Sequence, residues 1–177
     1  MTNEEYILVQ KCRKGERQAQ NQLFVRYRRM LFGVCLRYAA DRTEAEDMLQ
    51  ESFIKIYGDL YQYRPTGPLG AWMRKVAVNV ALQHLRKKKN LFSLVDLQQV
   101  EDTYEASETL FTEDRAKAAL QMVQRLPEGY RLVFNLHVIE GLSHPEIAEY
   151  LDISINTSKS QLSRAKSMLR RLLEKNV

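Results

Sequence analysis

The chain has 177 residues, with 27 lysines and arginines against 22 acidic residues and a net charge of +5. Its 7 glycines and 4 prolines are too few for a β-sandwich or barrel, which needs a turn about every ten residues. The sequence has no alternating strand pattern of useful length, so we expect an all-α fold. The least polar long stretch, residues 76–85, is too short to span a bilayer. Glu4 and Glu5 stand where a signal peptide carries positive charge, and a cytoplasmic location is expected. Two cysteines in helical patterns and three scattered histidines indicate no disulfide framework, metal site or cofactor.

The charge is distributed unevenly along the chain. Residues 1–10 carry a charge of −2, residues 11–89 carry +10, residues 90–114 carry −7 and residues 115–177 carry +4. Two basic blocks joined by an acidic segment are typical of two modules that bind a polyanion, and ordinary solvated basic helix faces are the alternative. We therefore expect one domain at residues 1–89, an acidic linker at 90–112 and a second domain at 113–177.

Four helices are predicted in the first block. A short helix at about residues 3–14 precedes a long one from Ala19, in which apolar residues recur at gaps of three and four. A third helix follows Asp41, and its polar face carries Asp47, Gln50 and Glu51 opposite an apolar stripe that contains Phe53. A loop rich in glycine and proline at residues 65–70 leads into a fourth helix that ends in the basic run 86–89.

Aromatic and cationic residues surround the loop at residues 65–70. Such a mixture offers stacking platforms for unpaired bases and contacts for their phosphates. Tyr61, Tyr63 and Arg64 are the favoured contacts, whereas Tyr57 and Trp72 fit core positions better. On the fourth helix, Lys75, Asn79 and Arg86 share one side, and the lysines at 87–89 suit phosphates.

The C-terminal block predicts a helix-turn-helix. A capping box starts at Ser143, Asp152 and Ile153 form a turn, and Ser154 caps a long final helix. Amide, hydroxyl and cationic side chains at the start of such a helix match base edges in the major groove, and an ordinary helical hairpin is the alternative. The candidate groove residues are Asn156, Thr157, Lys159, Ser160, Gln161, Ser163, Arg164 and Lys166.

Three groups of motifs resemble those of a known family. Residues 41–53, followed by 72–79 and 84–86, look like region two of bacterial sigma factors, and residues 140–143, 146–148 and 157–166 look like region four. The short chain, with a linker in place of a middle domain, resembles the extracytoplasmic-function group of the sigma-70 family. The resemblance covers residues 10–89 and 113–175. Gln83, Asp152 and Gln161 depart from the usual Asp, Gly and Arg, so promoter preference cannot be copied from relatives.

The resemblance implies a role for each matching position. Residues matching Asp47, Gln50, Glu51 and Phe53 dock on the clamp helices of the largest RNA polymerase subunit, although Phe53 fits the core equally well. The melted minus-ten strand would be captured by Tyr61, Tyr63, Arg64, Trp72, Lys75, Asn79 and Arg86. The final helix would read the minus-thirty-five element, and the acidic linker would thread the exit channel of the polymerase. Expected partners are core polymerase, through its largest and second-largest subunits, promoter DNA and an anti-sigma factor.

Two other functions stay open at this point. A stand-alone helix-turn-helix regulator would bind duplex DNA tightly without polymerase. A nucleic-acid hydrolase would need clustered carboxylates or histidines. The closest group here is Glu44, Glu46 and Asp47, of which Glu44 and Glu46 point to different sides of a helix. The sequence favours a non-enzymatic initiation factor.

Overall fold

The computed structural model describes residues 3–92 and 114–175, which form helices and short connections without a β-strand. The chain divides into two compact units, Met1–Gln98 and Gln99–Val177. The prediction of an all-α protein with two helical domains is confirmed. Most of the predicted acidic linker, residues 93–112, lies outside the described residues. None of the helices described is both long enough and apolar enough to cross a membrane.

The first unit is a bundle of helices α1 (Asn3–Arg13), α2 (Arg17–Tyr38), α3 (Arg42–Asp59) and α4 (Leu69–Phe92), with a 3-10 turn at Leu60–Gln62. Helices α2, α3 and α4 pack against one another, and α1 packs on α2. Fully buried side chains such as Leu23, Met48 and Met73 fill the space between them. Burying one such side chain contributes roughly 1.5–3 kcal/mol.

The start of α3 shows how local sequence sets a helix boundary. The carboxylate of Asp41 accepts a hydrogen bond from the backbone N–H of Glu44 at 2.8 Å. In return, the Glu44 carboxylate accepts one from the backbone N–H of Ala40. The first bond occupies an N–H group that the first turn of a helix leaves without a partner, and the second ties the residue before the cap to the helix, so α3 begins where the sequence predicts.

The second unit contains α5 (Asp114–Gln124), α6 (Glu128–Phe134), α7 (His144–Leu151) and α8 (Ile155–Lys175). Helix α8 packs against α6 and α7, around the buried residues Val133, Leu136, Ile147 and Ala165. Helix α6 is α-helical only as far as Phe134, and the chain continues as a π-helical turn at Asn135–Ile139. The Glu140 N–H bonds to the Asn135 carbonyl, and the Leu142 N–H bonds to the Leu136 carbonyl across Gly141, whose positive φ ends the helix.

The helix-turn-helix forms from local contacts. Ser143 and Glu146 make the predicted capping box, with the Ser143 N–H donating to the Glu146 carboxylate at 2.8 Å. Asp152 adopts a left-handed conformation, with φ of 53°, and reverses the chain. Ser154 Oγ then accepts a hydrogen bond from the Thr157 N–H at 2.9 Å, so the predicted N-cap of α8 is confirmed.

Candidate nucleic-acid interface

The outward face of α3 is polar with one large apolar residue. Asp47, Gln50 and Glu51 are exposed at helical spacings of three and four residues, as predicted. Ile54 lies seven residues after Asp47, on the same face, and is 66% exposed. We refer to these four residues as the α3 face. Sequence reasoning missed Ile54, although its spacing from Asp47 and Gln50 marks it.

Phe53 lies in the core. It is only 4% exposed, and its ring packs against Phe24 of α2 at 4.7 Å and against Tyr57 at 5.9 Å between centroids. The expectation that Phe53 offers a docking contact is therefore wrong for this structure. Burial between α2 and α3 removes the ring from the surface and leaves Ile54 as the exposed apolar neighbour.

A histidine from α4 lies between two acidic residues of α3. His84 is half-buried, with Nε2 at 3.7 Å from the Glu44 carboxylate and Nδ1 at 3.7 Å from the Glu51 carboxylate. The neighbouring Gln83 is exposed. This contact places α4 next to the α3 face. The Glu51 carboxylate of that face is exposed and also lies near His84.

The aromatic residues around the loop at 65–70 differ in exposure. Tyr61 is 71% exposed, whereas Tyr63 is 4% exposed. The Tyr63 hydroxyl donates to the Gly67 carbonyl at 2.6 Å, and its ring lies 5.5 Å from that of Trp72. Burial, and then the charge of Glu5, raise the pKa of Tyr63. The expectation that Tyr63 presents an open stacking face is wrong here, because its ring and hydroxyl both hold the loop in place.

The two residues that the sequence assigned to the core behave differently from Tyr61. Tyr57 is half-buried, its hydroxyl donates to the Gln20 carbonyl at 2.8 Å, and burial raises its pKa to about 12. Trp72 is also half-buried, against Tyr63. Of the four aromatic residues around the loop, Tyr61 alone is exposed.

Cationic and amide side chains lie beside this loop and along α4. Arg64, Lys75, Asn79 and Arg86 are all exposed, so the structure keeps these predicted contact residues accessible. The last three recur at helical spacing and share one side of α4. Lys87 is exposed as well, whereas the side chains of residues 88 and 89 lie outside those described.

Most predicted groove residues of α8 are exposed. Asn156, Ser160 and Ser163 recur at gaps of four and three on the side away from the buried Ser158, Leu162 and Ala165. Lys159, Arg164 and Lys166 are exposed on either side of this row. Ser160 Oγ donates to the Thr157 carbonyl at 3.0 Å, and Arg164 lies 3.5 Å from the Tyr130 hydroxyl. The outward row therefore combines short polar groups with flanking positive charge, as a major-groove helix requires.

Two predicted groove residues are only partly accessible. Thr157 is half-buried beside the Ser154 cap. Gln161 is half-buried against α6, where its amide approaches Gly129 so closely that a Cβ at that position would lie 3.1 Å from Nε2. Packing against α6 therefore limits how far the Gln161 side chain reaches towards the outward face of α8, and its role as a groove residue stays a prediction.

Two histidines stack at the start of α7, one from α7 itself and one from the π-helical turn at Asn135–Ile139. The rings of His137 and His144 lie 4.6 Å apart and nearly parallel, and His144 Nδ1 is 2.9 Å from Ser158 Oγ. Burial lowers the pKa of His144, and the charges of His137, Lys159 and Lys166 lower it further. Lys159 directly follows Ser158, the residue of α8 that contacts His144 at the start of α7. Backbone N–H groups at a helix start, with cations nearby, suit a phosphate.

The exposed cationic residues of α8 extend beyond the predicted groove residues. Arg170 and Arg171 are exposed, seven residues after Ser163 and Arg164 respectively. The same helical spacing that identified Ser163 and Arg164 identifies these two residues. They add phosphate-binding capacity towards the C-terminal part of the helix.

The described residues hold no group of three His, Cys, Asp or Glu side chains that fits a metal ion. Glu44 and Glu46, which the hydrolase alternative requires together, contact separate partners, His84 and Arg42. Cys12 and Cys35 are buried free thiols, and burial raises the pKa of each to about 11. A thiol with so high a pKa is a poor nucleophile.

Comparisons with known proteins agree for both units. Residues 23–91 match the family model described as Sigma-70 region 2, and residues 116–169 match Sigma-70, region 4. The chain is 29% identical to the RNA polymerase sigma-H factor of Pseudomonas aeruginosa, over 94% of this chain and 92% of that protein. It is 28% identical to the ECF RNA polymerase sigma-E factor of Escherichia coli K12, over 92% of this chain and 91% of that protein.

Two solved structures share the fold. One is the sigma factor RpoE of Bartonella quintana in complex with the anti-sigma factor NepR, with a TM-score of 0.56, 21% identity and coverage of 87% of this chain and 96% of the other. The other is CnrH in complex with the cytosolic domain of CnrY, with a TM-score of 0.50, 22% identity and coverage of 97% of both chains.

Proposed function

Since the chain belongs to the extracytoplasmic-function group of the sigma-70 family, we propose that its α3 face docks on core RNA polymerase and that α8 reads promoter DNA. The observation that carries this proposal is the pair of exposed helix faces of opposite character, acidic on α3 and basic on α8. As an alternative sigma factor it directs promoter-specific initiation in the cytoplasm and catalyses no reaction. We assign core binding and strand capture to residues 1–89, and duplex reading to residues 113–177.

Docking uses the α3 face. Asp47 and Glu51 supply negative charge, Gln50 supplies an amide, and Ile54 supplies the apolar contact that Phe53 does not. Interfaces with a small apolar centre and a polar rim are typical of specific protein contacts. We therefore expect the surface of the largest polymerase subunit that binds the α3 face to carry positive charge around an apolar position.

Strand capture uses the exposed Tyr61 and the cations of α4. Stacking of one base on an aromatic ring contributes about 1–3 kcal/mol, so the free energy of binding drives local melting of the minus-ten element. Arg64, Lys75, Asn79 and Arg86 hold the backbone or base edges of that strand. Trp72 and Tyr63 support the loop from within and are not proposed as stacking surfaces.

Duplex reading uses the outward row of α8. Asn156, Ser160 and Ser163 face the bases of the minus-thirty-five element, and Lys159, Arg164 and Lys166 contact phosphates or base edges. The half-buried Thr157 and Gln161 act at the margin of this row. The acidic linker passes through the RNA exit channel, as the family resemblance implies, and is displaced by growing RNA.

An anti-sigma factor is a further proposed partner. The Bartonella quintana relative is held in a complex with one. We propose that such a protein restrains this chain until a signal releases it. Competition with core polymerase for the chain is the simplest mechanism.

Run-off transcription with purified core polymerase tests the proposal. Template DNA is selected from a genomic pool by binding to the holoenzyme, and each template is transcribed with and without the chain. We expect defined transcripts that need both the chain and core enzyme, and weak duplex binding by the chain alone. Tight, specific binding without polymerase, and no core-dependent transcript, would contradict the proposal and favour a stand-alone regulator.

The docking face is tested by charge reversal. Asp47→Lys should weaken core affinity at least about tenfold, since a close like-charge contact costs more than 1.4 kcal/mol. Glu16→Lys is the matched control, because it makes the same change of charge at an exposed position of the first unit that makes no cap hydrogen bond. Equal affinities for the two variants would show that the α3 face is misplaced.

A further inference from the structure

We propose that Arg13 is a positioning residue for the minus-ten strand, acting through the turn that carries Tyr61. This inference rests on the proposed role of Tyr61 in strand capture. Arg13 lies in α1, before the residues 23–91 that match Sigma-70 region 2. Its guanidinium binds the backbone on both sides of Tyr61.

The contacts of Arg13 join α1 to a turn far along the chain. Nε and Nη2 donate to the Leu60 carbonyl at 3.2 and 3.1 Å, and Nη2 donates to the Tyr63 carbonyl at 2.7 Å. Leu60 begins the 3-10 turn that follows α3, and its carbonyl also accepts a hydrogen bond from the Tyr63 N–H at 3.2 Å. A guanidinium stays charged and has rigidly arranged donors, so it can hold two carbonyls in one geometry and favours the negative end of the helix dipole.

The turn is fixed from its other side as well. The Tyr63 hydroxyl donates to the Gly67 carbonyl, and the Tyr63 ring packs on Trp72 at the start of α4. Arg13 and Tyr63 together therefore fix the backbone that precedes and follows Tyr61. The ring of Tyr61 projects outwards and is 71% exposed, with its hydroxyl accepting from Gln62 Nε2 at 3.0 Å. An aromatic ring whose backbone is already fixed loses less conformational entropy when a nucleobase stacks on it.

Orientation of Tyr61 and general stabilisation of the bundle predict different effects of substituting Arg13. A residue that only stabilises the bundle would affect every function of the first unit, including docking by the α3 face. A residue that orients Tyr61 would affect promoter opening while leaving core affinity unchanged. It would also have no further effect once the Tyr61 ring is removed.

The test uses full-length chain with core polymerase on a promoter selected as above. The variants are Arg13→Gln, Arg13→Lys, Tyr61→Ala and the double variant Arg13→Gln with Tyr61→Ala. Lys11→Gln is the control, because it removes one positive charge from an exposed position of the same helix. Open-complex formation is followed by permanganate reactivity of minus-ten thymines, and core affinity is measured separately.

We expect Arg13→Gln to slow open-complex formation roughly three- to tenfold, a part of the effect of losing one base stack. Core affinity should stay within about twofold, because Arg13 lies on α1 and does not belong to the α3 face. Arg13→Lys should slow open-complex formation less than Arg13→Gln does, since an ammonium keeps the positive charge but lacks the forked donors of the guanidinium. The double variant should be no slower than Tyr61→Ala, and Lys11→Gln should match the unaltered chain. Additive effects in the double variant, or an equal loss of core affinity, would overturn the proposal.

The free protein supplies an independent readout. Trp72 is the only tryptophan in the sequence and packs on Tyr63, so its fluorescence reports the turn without polymerase or DNA. We expect Arg13→Gln to increase quenching of Trp72 by acrylamide, while the far-ultraviolet circular dichroism stays unchanged. Unchanged quenching would overturn the role of Arg13 in the turn. Increased quenching in a chain that forms no open complex with core polymerase would instead show that the proposed function is at fault.

Discussion

The two interfaces differ in how their side chains are held. In the second unit, the caps that set the helices of the helix-turn-helix are local: Ser143 with Glu146 and Ser154 with Thr157, each three residues apart. In the first unit they join distant parts of the chain: Arg13 bonds to Leu60 across 47 residues, and Tyr57 bonds to Gln20 across 37. A locally built site follows from its own sequence, whereas a site built from distant contacts depends on the whole bundle.

This difference predicts different responses to substitution. Some residues that support the first interface, such as Tyr63, also belong to the core, so their loss should cost stability and function together. Residues that form the second interface lie on one exposed helix face, so their loss should change DNA binding with little change in stability.

Phe53→Ala should destabilise the protein by about 3–5 kcal/mol, because it empties a buried site between α2 and α3. Urea unfolding followed by circular dichroism measures the change. Its neighbour Ile54→Ala is the control and should change the free energy of unfolding by less than about 0.5 kcal/mol, since the side chain is exposed. Similar losses for both variants would contradict the assignment of Phe53 to the core and Ile54 to the surface.

Replacing Lys159 and Lys166 together by glutamine should weaken promoter binding by the holoenzyme. If both contact phosphates, the slope of log affinity against log salt should become shallower by about 1.8, from about 0.9 per phosphate contact. Thermal stability should stay unchanged because both residues are exposed. Replacing the exposed Lys11 and Lys14 together by glutamine is the control, because it removes the same net charge. A slope equal to that of the control would remove the pair from the DNA interface.

Ser154→Ala should destabilise the second unit by about 1 kcal/mol, within the range of 0.5–2 kcal/mol known for N-caps. The lost bond is that from the Thr157 N–H to Ser154 Oγ. Ser163→Ala, at an exposed position inside α8, is the matched control and should be neutral. Hydrogen exchange of the first-turn amides of α8 locates the effect, and equal protection in the two variants would argue against the cap.

His144 should titrate below its usual pKa of 6.5, since burial and the nearby His137, Lys159 and Lys166 disfavour its charged form. The unfolded chain then takes up the proton more readily than the folded one, so stability is lost as pH falls below about 6.5. Capping lowers the pKa of Glu146 from 4.5, so its effect appears only at more acidic pH. Titration of the imidazole resonances by nuclear magnetic resonance checks this, with His144→Gln removing the dependence. A pKa at or above 6.5 would contradict it.

Much of the architecture follows from the sequence. The caps at Asp41, Ser143 and Ser154 and the left-handed turn at Asp152 lie where local residue chemistry places them. The outward row of α8 follows from its spacing. These features are predictable because each depends on residues within about one helical turn, so local hydrogen bonding and periodicity decide them.

Only the tertiary structure decided which of two neighbours is exposed. Phe53 lies at the edge of the apolar stripe of α3, and the packing of Phe24 from α2 buries it and leaves Ile54 in solvent. Tyr61 and Tyr63 lie around a turn that has no helical periodicity. Arg13 fixes the backbone of this turn through the Tyr63 carbonyl, and the bond from the Tyr63 hydroxyl to the Gly67 carbonyl holds the Tyr63 ring inwards. Gln161 is held by its approach to Gly129 of α6. Helical spacing assigns a residue to a side of its helix, but the element packed beside it determines whether that side meets solvent.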